Sequence, residues 1–394
     1  MTLEDRLARS LHEGLARLDV PPGDLDGARR AGGRLRRRRR VVAAVVAAAV
    51  AVTGLGVLAW DREADDRVTD PAGSGSWQRM DDAPVPGRAM PLAGWTGEEA
   101  LFVGGDLEPC PPAADCVVPS VPARDGAAYD PDAQEWRVIA EAPVPMGYWF
   151  RTTMVDDTMV IVGDGRWWAY DAGDDAWTRL PAPPAPTEDT GSISSADGRV
   201  LAMSRRGRVQ VLDLAARTWS ELPAAPRRLV GAVVATDDGV VVSGPTRGDG
   251  TGVVAQIWDG SSWSEVPVPQ RNSFRHWTGE RLVELDPQRG ADGERAGGIL
   301  DPATREWSPL PDRLTDSAGG GWSVNAAEGP LILGWGYLYD DRDGSWARQA
   351  PRPEAAQTEG VSAVWADGRV IVFGGVDSSA QSYEPVSQAW AWRP

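Results

Sequence analysis

Side chains able to do chemistry are few in this chain of 394 residues, and their types argue against most catalytic schemes. The only cysteines are Cys110 and Cys116, with Pro111 and Pro112 between them. In an oxidising compartment such a pair is most simply a disulfide that staples a loop; a metal-binding pair is the alternative, although no histidine lies near. Imidazole metal sites need several histidines, and the chain offers only His12 and His276. The acidic pairs Asp156-Asp157 and Asp237-Asp238 fall in predicted turns, where aspartate stabilises the turn itself. No phosphate-cradling glycine loop or nucleophile elbow occurs in a strand-and-turn setting that would support it. No metal and no cofactor is therefore expected. What remains is a mixture of aromatic rings and guanidinium groups, Tyr148, Trp149, Phe150 and Arg151, then Phe274, Arg275, His276 and Trp277. Together these suit a sugar, a carboxylate or a peptide.

The elements that would position them are written in the tryptophans. Trp77, Trp136, Trp177, Trp219, Trp263, Trp307, Trp346 and Trp390 follow one another at intervals of 39 to 59 residues, most of them between 41 and 44. Repeats of that length point to a propeller. After each Trp comes a Pro-rich turn and a strand, then a turn and a hydrophobic strand such as ALFVGG, MVIVG or VIVFGG. A third strand follows and closes in an acidic turn before the next Trp, as in AAYDPDAQEW, WAYDAGDDAW and SYEPVSQAW. Four short antiparallel strands per unit result, with the Trp opening the outermost. One such sheet cannot bury both of its faces, so the units must stack around an axis. Seven intervals predict seven blades, with six or eight left open by ring closure: the first strand completes the last blade, or one of Trp77 and Trp390 is an ornament. In this arrangement the aromatic and arginine clusters fall on innermost strands, at the channel or its rim, where they either bind a ligand or plug the opening.

The pattern resembles kelch repeats, in which a double glycine ends the second strand and a Tyr-Asp and then a Trp follow. The resemblance runs from Trp77 to the C-terminus and is clearest at Gly104, Gly105, Tyr129, Asp130 and Trp136, and again at Gly374, Gly375, Tyr383 and Trp390. In the central units Ser243-Gly244 and Leu285-Asp286 stand where the glycine pair would be. The resemblance implies an all-β, kelch-like β-propeller over residues 77–394. Copper oxidases of the galactose oxidase kind share that fold, but their paired histidines and cysteine-linked tyrosine have no counterpart here, so their activity is not implied.

Ahead of the repeats lies a different kind of chain. Residues 1–40 hold eleven Arg and six Asp or Glu, a net of +5, whereas the remainder nets −22. An acidic remainder repels nucleic acid and anionic lipid, and nucleic acid is not an expected partner. Val41 to Trp60 contains no charged residue and, at about 1.5 Å per residue, reaches across the roughly 30 Å core of a bilayer. Arg34, Arg36, Arg37, Arg38, Arg39 and Arg40 abut it on one side, and Asp61, Glu63, Asp65 and Asp66 on the other. The positive-inside rule puts the N-terminus in the cytoplasm. The alternative, a cleaved signal peptide, has a shorter apolar core behind a shorter basic segment. The chain therefore divides into a cytoplasmic tail (1–40), a transmembrane helix (41–60), a linker (61–76) and an extracytoplasmic propeller.

Within the tail, Thr2 and Asp5 form a capping-box pattern, and Leu3, Leu7, Leu11 and Leu15 recur at helical spacing. Two readings of this stripe stand, a helix that docks a cytoplasmic protein and a helix lying on the inner leaflet. The expected role of the whole is non-catalytic binding of a protein or cell-envelope polymer outside the membrane. One alternative is a transmembrane regulator, whose first 60 residues resemble the layout of anti-sigma factors. The other is an envelope glycan hydrolase or lyase working through Arg151 or Arg275.

Overall fold

The computed structural model describes residues 74–394 apart from 110–119, 185–189, 230, 238, 246–252, 269–273, 290–294, 312–324, 335, 354–358 and 378–382. The tail with Leu3, Leu7, Leu11 and Leu15, the apolar segment 41–60, and both Cys110 and Cys116 lie outside the described residues. No helix among the described residues is long and apolar enough to cross a membrane.

Seven four-stranded antiparallel sheets make up the all-β body. We call their strands A to D from the axis outwards, and the sheets blades one to seven in chain order. In blade two, for example, A is Arg151–Val155, B is Thr158–Gly163, C is Arg166–Asp171 and D is Ala176–Leu180. Neighbouring A strands lie side by side from blade one to blade five and again from blade six through seven back to one. Between blades five and six, His276 Nε2 lies 2.9 Å from the Gly329 carbonyl.

The ring closes by pairing the two ends of the propeller. Ser76–Arg79 is the D strand of blade seven, paired with Ala389–Arg393 so that Trp77 lies opposite Trp392. Everywhere else a repeat Trp faces a bulky C-strand residue in the same way, as with Tyr129 and Trp136, Tyr170 and Trp177, or Leu212 and Trp219. Trp77 is thus the repeat tryptophan of the last blade. Trp390 does not open an outermost strand; it lies in strand C of blade seven, two residues before Trp392. The eye is misled because SYEPVSQAW has the right spacing, whereas Glu384–Pro385 pairs with Val376–Asp377 in an extra hairpin before strand C begins.

Alternation along the strands sends apolar side chains into the spaces between blades. The buried residues form seven clusters, one per interface, from Phe102, Tyr129 and Phe373 between blades seven and one to Val370, Val372 and Trp392 between six and seven. Among the described residues, the repeat Trp of blades one to four, six and seven also stitches its blade to the one before. Its indole Nε1–H donates to the backbone carbonyl of the turn just past the preceding D strand: Trp77 to Ala350 (2.9 Å), Trp136 to Asp81 (3.0 Å), Trp177 to Ala140, Trp219 to Pro181 and Trp263 to Pro223 (2.8 Å each), and Trp346 to Pro311 (3.3 Å). This explains why Trp recurs where Phe would fill the same space: only an indole supplies a donor there.

The glycine pairs have an equally local cause. Gly104, Gly105, Gly374 and Gly375 all have φ between 65° and 95°. A side chain on Gly104 would sit 2.3 Å from the Met146 carbonyl oxygen, and one on Gly374 2.5 Å from that of Arg88. Strand B therefore ends pressed against the connection that leads into the next blade, and only glycine fits.

Candidate functional site

Because every blade runs up and down in the same sense, the strand ends sort into two sides. The A–B and C–D hairpins share one side, the turn face. The B–C loops and the D–A connections share the other, the loop face.

On the turn face acidic residues serve the backbone. Strand C ends in Asp130, Asp171, Asp213, Asp259, Asp301 or Asp340 in blades one to six, and each carboxylate accepts backbone N–H groups two or three residues on, at 2.8 to 3.2 Å. These are Asx-type turns. The bonds from the Ser262 and Ser261 amides hold the Asp259 carboxyl well below the usual carboxylate range. Asp156 takes a left-handed φ in its A–B hairpin, another structural role for an aspartate.

A clamp joins blades five and six on this side. Asp341, buried, accepts from Arg281 Nε (3.1 Å) and Nη2 (2.8 Å), from Thr278 Oγ1 (3.2 Å) and from the Tyr339 hydroxyl (3.3 Å). Burial, together with the charge of Asp341, pushes the Tyr339 hydroxyl up to about 12.

The candidate residues of blade five belong to this scaffold. Arg275 Nε donates to Glu284 Oε1 at 2.7 Å, and Glu284, 1 % exposed, also accepts from Ser243 of blade four. Trp277 Nε1 donates to Asp237 of blade four (3.4 Å), while His276 bridges to blade six as described above. Burial pulls the His276 ring down from its ordinary value, partly offset by its bond to the Gly329 carbonyl. Phe274 begins strand A of this blade.

Tyr148, Trp149 and Arg151 lie at the opposite end, on the loop face. Strand A of blade two begins at Arg151, so Tyr148, Trp149 and Phe150 precede it in the connection from blade one instead of lying on the strand. Phe150 is buried, but Tyr148 is 55 % exposed and Trp149 38 %. The two rings meet edge to face at 5.4 Å, Trp149 Nε1 donates to Asp164 (3.2 Å), and Arg151 Nη1 donates to the Trp149 and Phe150 carbonyls. An exposed aromatic pair is thus held in place by its neighbours. The remaining exposed large apolar side chains among the described residues are Met90, Val121 and Val138. All three lie at the loop-face end of blade one or of the connection into it.

Sequence reasoning missed the charge on this side. In blades two to four Arg166, at the start of strand C, and Arg205, Arg206, Arg208, Arg227 and Arg228, in B–C turns or D–A connections, are all exposed. The carboxylates on that side of these blades, among the described residues, are Glu141, Asp164, Glu221 and Glu265, the last two paired with Arg208 and Arg227. A cleft of about 370 Å³ runs between Arg166, Trp167, Arg179, Leu180 and Pro181 at the rim of blade two. The signal was available in RRGR at 205–208 and RR at 227–228, once strand ends are assigned to faces.

The neck of the cysteine-containing loop also opens on this face. Asp106, 3 % exposed, accepts from the Ser120 hydroxyl and from the Val121 and Glu108 amides, closing the loop's base.

No protein-family model matches the sequence, and no curated protein matches it. Among solved structures, one of the mitotic checkpoint complex matches at 13 % identity over 86 % of this chain and 99 % of that one, with a TM-score of 0.47. So distant a likeness carries no functional argument, and the assignment of a seven-bladed β-propeller rests on the seven sheets and their closure.

Proposed function

We propose that this protein is a membrane-anchored binding module: a cytoplasmic tail, one spanning helix at residues 41–60, and a kelch-like propeller outside the cytoplasm that captures a protein or cell-envelope ligand on its loop face. The observation that carries the binding role is the position of the exposed apolar side chains. Met90, Val121, Val138, Tyr148 and Trp149 all lie at loop-face strand ends or connections of blade one and those adjoining it, and Tyr148 and Trp149 meet edge to face at 5.4 Å. Scattered single exposures need no explanation, but two exposed aromatic rings held in contact make a candidate recognition surface. Propellers commonly serve as interaction modules, although the fold alone does not choose the ligand. Support for the anchor comes from the charge-free run between Arg40 and Asp61 and its arginine flank. The constrained glycine pairs at 104–105 and 374–375 support the kelch-like type.

The test is a pull-down of the full-length protein from its native membrane, beside a chain lacking residues 1–40 and a Tyr148→Ala, Trp149→Ala double variant. Partners lost only with the aromatic pair establish the loop face as the binding surface. Partners lost only with the tail would overturn that reading and make the protein a transmembrane regulator.

A further inference from the structure

Resting on the reading of the loop face as a binding surface, we infer that its partner is an acidic polypeptide, seated with apolar anchors over the Tyr148–Trp149 sector and its carboxylates over the arginines of blades two to four.

Three observations carry this. First, the arginines are assembled from separate segments. Gly207, inside the B–C turn of blade three, lies so close to the connection into blade four that a side chain on it would be 3.4 Å from the Arg228 Cα. Arg205 and Arg206 are thereby set beside Arg227 and Arg228, and Arg205 leans back over Gly191, at the start of that blade's innermost strand, with its Cγ 3.6 Å from where a Gly191 side chain would begin. Second, the group is held. Gln256, fully buried, uses both ends of its amide on one residue: its Nε2 donates to the Arg227 carbonyl (3.1 Å) and its Oε1 accepts from the Arg227 amide (3.4 Å). A buried side chain is thus committed to fixing the backbone that carries two adjacent arginines. Third, although Arg227 is countered by Glu265 at 2.9 Å, the four arginines on adjoining segments outnumber that carboxylate and make a positive region that an anionic partner would complement.

The kind of anion follows from what lies next to the charge. One face that carries both an exposed Tyr–Trp pair and clustered arginines has residue types enriched at protein–protein interfaces, where aromatic residues and Arg are favoured. Guanidinium forks pair bidentately with carboxylates. A polyanion lacking apolar groups would leave the Tyr148–Trp149 sector uncovered.

Full-length protein in detergent is titrated, by fluorescence anisotropy, with a labelled peptide alternating Glu with Leu and Trp, its counterpart with Lys for Glu, polyglutamate, and duplex DNA. The Glu/Leu/Trp peptide is expected to bind best, to weaken as salt rises past about 0.1 M, where screening acts over roughly 10 Å, and to lose about tenfold or more in the R205Q/R206Q/R227Q/R228Q variant. Y148A/W149A should weaken it too and leave polyglutamate unaffected. Equal binding of the Lys peptide, tighter binding of DNA or polyglutamate, or no change in the arginine variant would overturn the inference. A photocrosslinker placed at position 148 of the chain in its native membrane reads the loop-face role separately. Crosslinking to a partner that persists undiminished in the arginine variant would sink the acidic-partner inference alone, whereas absence of crosslinking would sink the loop-face reading on which it rests.

Discussion

On the turn face an aspartate has backbone amides to hold, and on the loop face of blades two to four arginines stand beside arginines. The same strands carry both sides, so the difference is not one of fold. Carboxylates such as Asp130, Asp213 and Asp259 cap the turns they sit in, and Asp341 locks two blades together. Arg205, Arg206 and Arg228 project from a backbone that other residues fix. What this teaches concerns net charge. A sum of −22 over the chain beyond residue 40 describes the solubility of the body, yet many of the described carboxylates are engaged in local structure, while exposed arginines cluster on the loop face of blades three and four.

If the turn face builds the ring, changes there must cost stability in proportion to what each carboxylate holds. Asp341→Ala has the largest expected effect. It leaves Arg281 Nε and the Tyr339 hydroxyl without their carboxylate acceptor and removes the side-chain clamp between blades five and six, while Arg281 Nη2 keeps the backbone carbonyl of residue 341 (2.6 Å). Removing one partner of a buried pair costs 3–5 kcal/mol; because Arg281 is 36 % exposed, the lower end, about 3 kcal/mol, is expected in urea unfolding of the full-length protein in detergent. A loss below about 1 kcal/mol, the range of surface pairs, would show the clamp to be incidental.

The same cluster sets an alkaline limit. Burial raises the Tyr339 hydroxyl to about 12 in the folded protein, above its unfolded value of 10.0. A group whose folded value is raised contributes stability that is complete below the unfolded value and disappears as pH climbs through the folded one. Stability is therefore expected to begin falling near pH 10 and to drop further through 12. Tyr339→Phe should flatten that decline; a decline of unchanged steepness would place its cause elsewhere. A smaller effect is expected at a single exposed cap, where Asp213→Ala removes one charge-assisted bond to the Ala216 amide and costs about 1 kcal/mol in the same unfolding measurement.

Much of this scaffold was legible in the sequence, because repetition is a signal that a single chain carries in full. The Trp spacing, the hydrophobic B strands and the acidic C–D turns located seven sheets. At the seam the repetition misled: Trp390 kept the interval, but the residue in the equivalent place is Trp77, some 300 positions away, and only strand pairing identifies it. The candidate site was legible in part. Tyr148, Trp149 and Arg151 stood out as aromatics beside a cation, and Arg275, His276 and Trp277 by the same rule. Nothing in residue type distinguishes the first group, exposed on the loop face, from the second, tied to Glu284, Gly329 and Asp237. That distinction depends on acceptors supplied from other strands and neighbouring blades. The arginines of blades three and four were missed for a similar reason, since each run is short and their juxtaposition arises only when Gly207 meets the Arg228 backbone.

The smallest effect on stability is expected from the most heavily altered loop-face variant. R205Q/R206Q/R227Q/R228Q removes four charges at once, yet each of these side chains is exposed, and the Gln256 bonds that order the segment go to the Arg227 backbone, which glutamine retains. The Arg227–Glu265 ion pair at 2.9 Å is lost, but Arg227 is half exposed and such surface pairs contribute about 0–1 kcal/mol. Surface substitutions of this kind usually change stability by less than about 0.5 kcal/mol each. Differential scanning fluorimetry should therefore give an unfolding midpoint close to that of the parent chain. A clear drop would mean the arginines hold the ring together as the aspartates do, and the contrast between the two faces would disappear. An unchanged midpoint accompanied by lost affinity for the acidic peptide would separate folding from recognition along the axis of the propeller.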